Sequence, residues 1–360
     1  MPNSVDLNNV EELRRFDTTG MLDAIASLPD QCAAASGELM EKVQLPEYQG
    51  IANIVITGLG GSAIGGDLLR AYAAEALDVP VVINRGYDLP KFVGSSTLVF
   101  AVSYSGNTEE TLSAYAQAHE RGAHIIGITS GGKLRELLRG DGYPIVEVPG
   151  GMFPRAANGY LFVPLLMILQ KIGMLPDLST PISEMIYLLR DLCVQFGPEV
   201  PEATNPAKQL ARKMYGKIPV IWGATGTTEI VAQRWKAQIN ENAKTPCYWN
   251  VFPELNHNEI VGLEVPEELV KAIHLIILQD KADHPQVQKR MEITKEVFQD
   301  KVDGFTEIKA FGNGMLARIY SLICTGDYTS VYLAALYGMD PGPIKAIDFL
   351  KNQLQVRGDQ

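Results

Sequence analysis

The chain has few of the residues that staple or metallate a fold. Cys32, Cys193, Cys247 and Cys324 are its four cysteines among 360 residues; they stand far apart with no CxxC pair, so neither a zinc knuckle nor a thioredoxin-type motif is present. Histidine is equally scarce, at five. No HExxH occurs, and His257-Asn258-Glu259 copies the H-x-E of zinc deaminases without its P-C-x-x-C partner. No metal and no other cofactor is therefore expected, and the thiols are expected to be reduced. Cations are outnumbered, with 31 Lys and Arg against 42 Asp and Glu and a formal net charge of -11. That balance argues against nucleic acid or an anionic membrane as the main partner, since both need a basic footprint. Long apolar runs are missing too. The most apolar stretch, "GYLFVPLLMILQKIGMLP", is interrupted by Pro164, Gln170 and Lys171 and falls short of the roughly 18 apolar residues of a membrane span, so it reads as a buried core helix. The opening "MPNSVDLNNVEELRRF" lacks the basic start and apolar core of a signal peptide. A cytoplasmic location is the expectation.

What the chain does have is a core, with 46% hydrophobic residues, and a rhythm. Short β-branched runs alternate with helical patterns: "IANIVIT" then "AIGGDLLRAYAAEA", "VPVVIN", "STLVFAVS" then "TEETLSAYAQAHERG", "HIIGITS" then "GKLRELLRG", and "PIVEVPG". This predicts a parallel sheet wrapped by helices. Prolines then bracket "ISEMIYLLRDLCVQ", and a second αβ series starts at "KIPVIWG". In "VITGLGGS" and "VIWGATGT" an apolar strand meets Gly58 or Gly223, a second glycine follows three positions on, and a hydroxyl residue, Ser62 or Thr227, comes next. Chance could produce one such echo, but duplication of one α/β unit is the economical reading. The expected fold is α/β, two doubly wound, flavodoxin-like parallel sheets related by duplication. The expected boundaries are 1–175 for an N-terminal helical segment plus the first unit, 176–204 for a helical connector, and 205–360 for the second unit.

Two loops carry chemistry. "GLGGSAIGG" matches the dinucleotide fingerprint at Gly58, Gly60 and Ala63, but the second strand ends in Asn84 and Arg85 where a nicotinamide site wants a carboxylate for the ribose. Asp78 has the spacing yet precedes the strand, which leaves a dehydrogenase as a secondary reading. In "SYSGNTEET" a strand ending at Ser103 and a helix starting near Thr108 would leave backbone amides and the positive end of the helix dipole facing the loop. Ser103, Ser105 and Thr108 add hydroxyl donors, and Gly106 would let the backbone approach a ligand. One phosphate group suits this cradle. The plainer alternative is Thr108 as an N-cap, with Glu109 and Glu110 favouring the first turn.

"GLGGSAIGGDL" and "SYSGNTEETL" resemble the sugar isomerase (SIS) domain, which binds phosphorylated sugars. "PRAA" at 154–157, "NPAKQLA" at 205–211, "NENAK" at 240–244, "NHNEIVG" at 256–262 and "IDFLK" at 347–351 narrow the resemblance to the bifunctional phosphoglucose/phosphomannose isomerases. The likeness covers nearly the whole chain and is weakest over the first ~45 residues. It implies two SIS domains, a homodimer, and metal-free interconversion of glucose 6-phosphate or mannose 6-phosphate with fructose 6-phosphate. By motif it assigns phosphate to Ser103, Ser105 and Thr108, and the sugar to Gly61 and Ser62. The base becomes Glu241, ring opening falls to His257 from the neighbouring subunit, Arg155 lies beside the enediolate, and Lys351 enters the site.

Each assignment has a chemical rationale and a bland alternative. Glu241 falls near the end of "EIVAQRWKAQINENAK", where the negative helix end favours a carboxyl that must return its proton; without the motif it reads as a solvated helix face. His257 offers the imidazole that ring opening requires, a group able to take and give a proton, although loop histidines are usually idle. Arg155 sits in a sheet-end loop, where a guanidinium can hold developing negative charge or merely form a surface ion pair. Lys351 shares a helical stripe with Ile344, Ile347, Leu350 and Leu354, a placement that calls for a reason or for snorkelling to solvent. A non-catalytic sugar-phosphate binder would need the cradle but not Glu241 and His257.

Overall fold

The computed structural model describes residues 5–358. Met1–Ser4, in the stretch read above for a signal peptide, lie outside them. The predicted strands form two parallel sheets. In the first, β1 (Asn53–Thr57), β2 (Val81–Asn84), β3 (Thr97–Val102), β4 (His124–Thr129) and β5 (Ile145–Glu147) lie in the order β2-β1-β3-β4-β5. The second contains β6 (Ile218–Ala224), β7 (Tyr248–Phe252), β8 (Ile273–Gln279) and β9 (Gly304–Lys309), ordered β7-β6-β8-β9. Both sheets run second, first, third, fourth strand, which is the repeat that the Gly58 and Gly223 turns announced. Register is continuous: Val55 pairs with Val82 on one side and Val99 on the other, and Ile221 with Trp249 and Ile276.

Strands covered on both faces read as unbroken apolar runs, and all of β3 is buried. "GYLFVPLLMILQK" becomes the helix Asn158–Lys171, buried along most of its length despite Pro164. The segment expected as a connector forms the helix Ser179–Phe196. It buries Ile182, Met185, Leu189, Leu192 and Phe196, and it packs along the 22-residue helix Met315–Leu336. One hydrophobic cluster consequently runs between the two sheets, with smaller clusters on their outer faces. Among the described residues no helix is long and apolar enough to cross a membrane.

In open sheets of this order ligands meet the carboxyl ends of the strands at the switch point, here between β1 and β3. The Ser103–Thr108 loop and the start of the helix Gly61–Tyr72 both lie there.

Candidate active site

After β3 the chain passes through Ser103, Ser105 and Gly106 to Thr108, the N-cap of the helix Glu109–Glu120. The Thr108 hydroxyl makes no capping bond. It lies 2.8 Å from Ser103 Oγ instead, and Ser103 Oγ accepts the Gly106 amide at 3.1 Å. Ser105 Oγ accepts the Asn107 amide at 3.3 Å and is otherwise exposed. A simple N-cap therefore does not describe the loop, whose hydroxyls gather beside a helix start that no side chain closes. Gly106 has φ +70°, and a Cβ there would fall 1.8 Å from the Gly131 carbonyl oxygen, so close packing of the two loops also requires glycine at this position.

Ser62 is buried in the first turn of the helix Gly61–Tyr72, and its Oγ accepts the Tyr104 amide at 3.4 Å, joining the loops that follow β1 and β3. A Cβ on Gly61 would lie 2.7 Å from the Pro154 carbonyl oxygen. The glycine lets the 3-10 turn Pro154–Ala156 close onto this helix start and brings Arg155 to the switch point. In the second unit Thr227, the counterpart of Ser62, donates its hydroxyl to Asp283 Oδ1 at 2.9 Å, which places a carboxylate where an anion would be repelled.

Arg155 is only 4% exposed. Its Nε donates to Asn242 Oδ1 at 2.7 Å and its Nη2 to the carbonyls of Pro341 and Gly342 at 2.7 and 2.9 Å, while Nη1 lies 3.4 Å from Glu241 Oε2. Phe153 stacks 4.6 Å beneath the guanidinium. Burial lowers the Arg155 pKa and Glu241 raises it; arginine keeps its charge regardless.

The sequence places Glu241 near the end of an ordinary helix, and the structure corrects this. The α-helix Thr228–Gln238 widens into a π-turn, Ile239–Ala243, and Glu241 stands on it. Such bulges often mark functional sites because they re-aim a side chain out of helical register. Asn242 Nδ2 secures the turn from below, donating to Ser330 Oγ at 2.8 Å. Beneath that, Asp327 accepts from Arg234 Nη2 at 2.6 Å and from Gln238 Nε2 at 2.8 Å, and Arg234 Nη2 also reaches the Arg155 carbonyl at 2.9 Å. Glu241, its side chain 27% exposed, lines two cavities. One, about 140 Å³, is shared with Gly60, Gly61, Arg85 and Arg155; the other, about 490 Å³, with Lys244, Asp340 and Ile344.

Sequence reading missed the supporting set of Arg234, Gln238, Asn242, Lys244 and Asp327. Asn242 and Lys244 lay within "NENAK" without a role, and Asp327 was visible as a lone carboxylate in the apolar run "SLICTGDYTSVYLAAL". Two expected residues are not brought in by this chain alone. His257 is exposed at the end of the 3-10 turn Glu254–His257 and lines neither cavity. Lys351 is exposed on the helix Lys345–Gly358, and its stripe is not buried: Ile347, Leu350 and Leu354 are all exposed, as is Phe349 beside them. Among the described residues no three His, Cys, Asp or Glu side chains are grouped to hold a metal ion.

Residues 48–133 match the SIS domain, and residues 203–354 match the family described as the bacterial phospho-glucose isomerase C-terminal SIS domain. A bifunctional phosphoglucose/phosphomannose isomerase of Caldicellulosiruptor bescii is 49% identical over 335 residues, covering 93% of this chain and 98% of that protein. The chain belongs to the bifunctional phosphoglucose/phosphomannose isomerase family. Another member of the family, from Aquifex aeolicus, is 38% identical over 86% of this chain and 92% of its own. A glucose-6-phosphate isomerase like protein of Thermus thermophilus shares the fold at 21% identity and a TM-score of 0.63, over 95% of this chain and 99% of that one. In this phosphoglucose/phosphomannose isomerase family member the first matched span holds Gly61, Ser62, Ser103, Ser105 and Thr108. The second holds Glu241, His257 and Lys351, and Arg155 falls between them.

Proposed function

We propose that the chain interconverts glucose 6-phosphate and mannose 6-phosphate with fructose 6-phosphate by proton transfer through an enediolate, using its own side chains. The observation that carries this reading is Arg155 Nη1 at 3.4 Å from Glu241 Oε2 on the wall of a cavity at the switch point. Aldose-ketose isomerisation moves one proton between C1 and C2, so it needs a carboxylate to carry it and a fixed positive charge beside the oxygens where negative charge develops. Glu241 and Arg155 supply this pair. A protein that only binds sugar phosphates has no use for a carboxylate aimed this way. A nicotinamide enzyme is disfavoured because Asn84 Nδ2 turns onto the Gly86 carbonyl and the buried Asp67 is engaged by Arg85 and Arg70.

In this reading Ser103, Ser105 and Thr108 hold the phosphate, and Gly61 and Ser62 lie near the sugar. His257 opens the ring in the site of the other subunit of a homodimer, and Lys351 joins the assembled site. The exposure of His257, Ile347, Phe349, Leu350 and Leu354 supports a second subunit covering these faces. The chain divides into residues 1–175, a link at 176–204, and residues 205–360, and it works in the cytoplasm. The test is to supply fructose 6-phosphate with a chelator present and identify the sugars formed. Both aldose phosphates are expected; no aldose, or aldose only after zinc is added back, overturns the reading.

A further inference from the structure

The strap Asp340–Pro341–Gly342 leads from the end of the helix Met315–Leu336 toward the helix Lys345–Gly358 and is fastened at several points. Arg155 Nη2 takes the Pro341 and Gly342 carbonyls. The Thr18 hydroxyl bonds the Asp340 carboxylate, and a Cβ on Gly342 would meet Thr19 Oγ1 at 2.1 Å. Lys244 provides the remaining fastening. Its Nζ donates to the carbonyls of Asp340 at 2.7 Å and Pro341 at 2.9 Å on the strap, and to those of Glu241 at 2.8 Å and Asn242 at 3.2 Å on the π-turn. An ammonium has three protons, so four carbonyls share them. Pro341 O thus receives both Arg155 and Lys244.

The backbone of Lys244 is itself unusual. With φ 55° and ψ 27° it is left-handed, and it is the one positive-φ residue other than glycine among the described residues. Glycine or asparagine would adopt this conformation at less cost. The lysine adds side-chain bonds that neither of those residues could reach.

We propose that Lys244 is a positioning residue for the isomerase: its ammonium locks the π-turn bearing Glu241 to the strap that anchors Arg155, and loss of its proton sets the alkaline limit of turnover. This rests on the isomerase reading above. The charged groups facing Nζ are Arg155, Asp340 and Glu241. Lys244 is exposed along its side chain, but partial desolvation of its ammonium among the carbonyls, followed by the charge of Arg155, pulls its pKa down to about 8, against the pull of the two carboxylates. Below that value the cation grips all four carbonyls; above it a neutral amine makes weaker bonds. The sign for stability is opposite. A pKa below the ordinary 10.5 means the folded chain binds fewer protons than the unfolded chain between about pH 8 and 10.5, so this group's contribution to stability rises across that window.

The test compares wild type with Lys244→Met and Lys244→Arg in steady-state turnover of fructose 6-phosphate across pH. Lys244→Met is expected to lower kcat by roughly 10- to 100-fold with KM within about threefold, because a small displacement of the reacting groups costs rate and not phosphate binding. Lys244→Arg, which keeps its charge, should recover part of kcat and carry the alkaline limb to higher pH. Wild-type kcat in Lys244→Met, a tenfold rise in KM at unchanged kcat, or superposed alkaline limbs for wild type and Lys244→Arg would overturn the proposal. If Lys244→Met fails to fold, the comparison of alkaline limbs decides. A wild type that forms no aldose at all overturns the isomerase reading itself, a result visible before either variant is compared.

Discussion

Arg155 and Glu241 meet at 3.4 Å across 86 positions of chain, one on a 3-10 turn after the first sheet and the other on a π-turn of the second unit. Neither residue is free to choose its place. Arg155 is held by two carbonyls and the Asn242 amide oxygen, so only its Nη1 is directed at the carboxylate. Donors fixed before the reaction need no reorganisation when charge develops, which is where such a site gains its rate.

Glu241→Gln keeps the shape of the side chain and removes the carboxylate proposed as the base. Isomerisation should fall by roughly 10² to 10⁴, with KM for fructose 6-phosphate little changed. In deuterated water wild type should place label at C1 of the ketose or C2 of the aldoses, and the variant should do so far more slowly. Near-normal turnover would move the base elsewhere.

Ser105→Ala with Thr108→Ala removes two donors from the cradle and leaves Ser103 Oγ without its 2.8 Å neighbour. Each lost bond to a charged phosphate should cost roughly 1.5 to 3 kcal/mol. The expected readout is a higher KM with an unchanged thermal melt; an unchanged KM would reduce the loop to a structural turn.

Gly61→Ala places a methyl group 2.7 Å from the Pro154 carbonyl oxygen, a backbone atom that cannot rotate away. The turn carrying Arg155 must shift, so kcat should drop more than KM rises. A variant with wild-type kcat would show that the turn has slack.

Asp327→Ala strands a buried guanidinium. Arg234 would keep the Arg155 carbonyl as acceptor but lose its carboxylate, and Gln238 would lose a partner. Breaking a buried pair by removing one member typically costs about 3 to 5 kcal/mol. Urea unfolding should show a midpoint lowered accordingly; a shift within error would mean that water replaces the carboxylate.

Glucose 6-phosphate and mannose 6-phosphate should compete for one site, since a carboxylate between C1 and C2 serves either configuration once the enediolate turns about its C2–C3 bond. Each should inhibit turnover of the other with an inhibition constant equal to its own KM. Independent kinetics would require a second site.

The strands were legible in the sequence because parallel β-strands buried on both faces must be written as apolar runs, and "LVFAV" and "NIVIT" could be little else. The Ser103–Thr108 cradle was legible as hydroxyls beside a helix start. The π-turn was not. Nothing local to "INENA" demands it; it is held by Ser330 through Asn242 and by the strap through Lys244, contacts made from far along the chain. Arg155 read as a loop cation because two of its three anchors are backbone carbonyls at 341 and 342, which have no signature in side-chain sequence, and the third, Asn242, lies 87 positions away. His257 was named from the motif and Lys351 from the motif and its apolar stripe, and the chain by itself leaves both in water.

The strap at 340–342 also sets an order of events at the ribosome. When the first 300 residues have emerged, the cradle, Arg155 and Glu241 have all been made, yet the carbonyls that fix the guanidinium have not. Meanwhile Met185, Leu189 and Leu192 wait without the long helix Met315–Leu336 that covers them. A nascent chain at that stage carries a sticky, unfinished groove of the kind that recruits chaperones. The stretch from Met315 to Gly342 both closes that groove and threads past Thr18 and Thr19, which are made far earlier. Until the chain has been made past Gly342, no molecule can hold Arg155 by its full set of anchors.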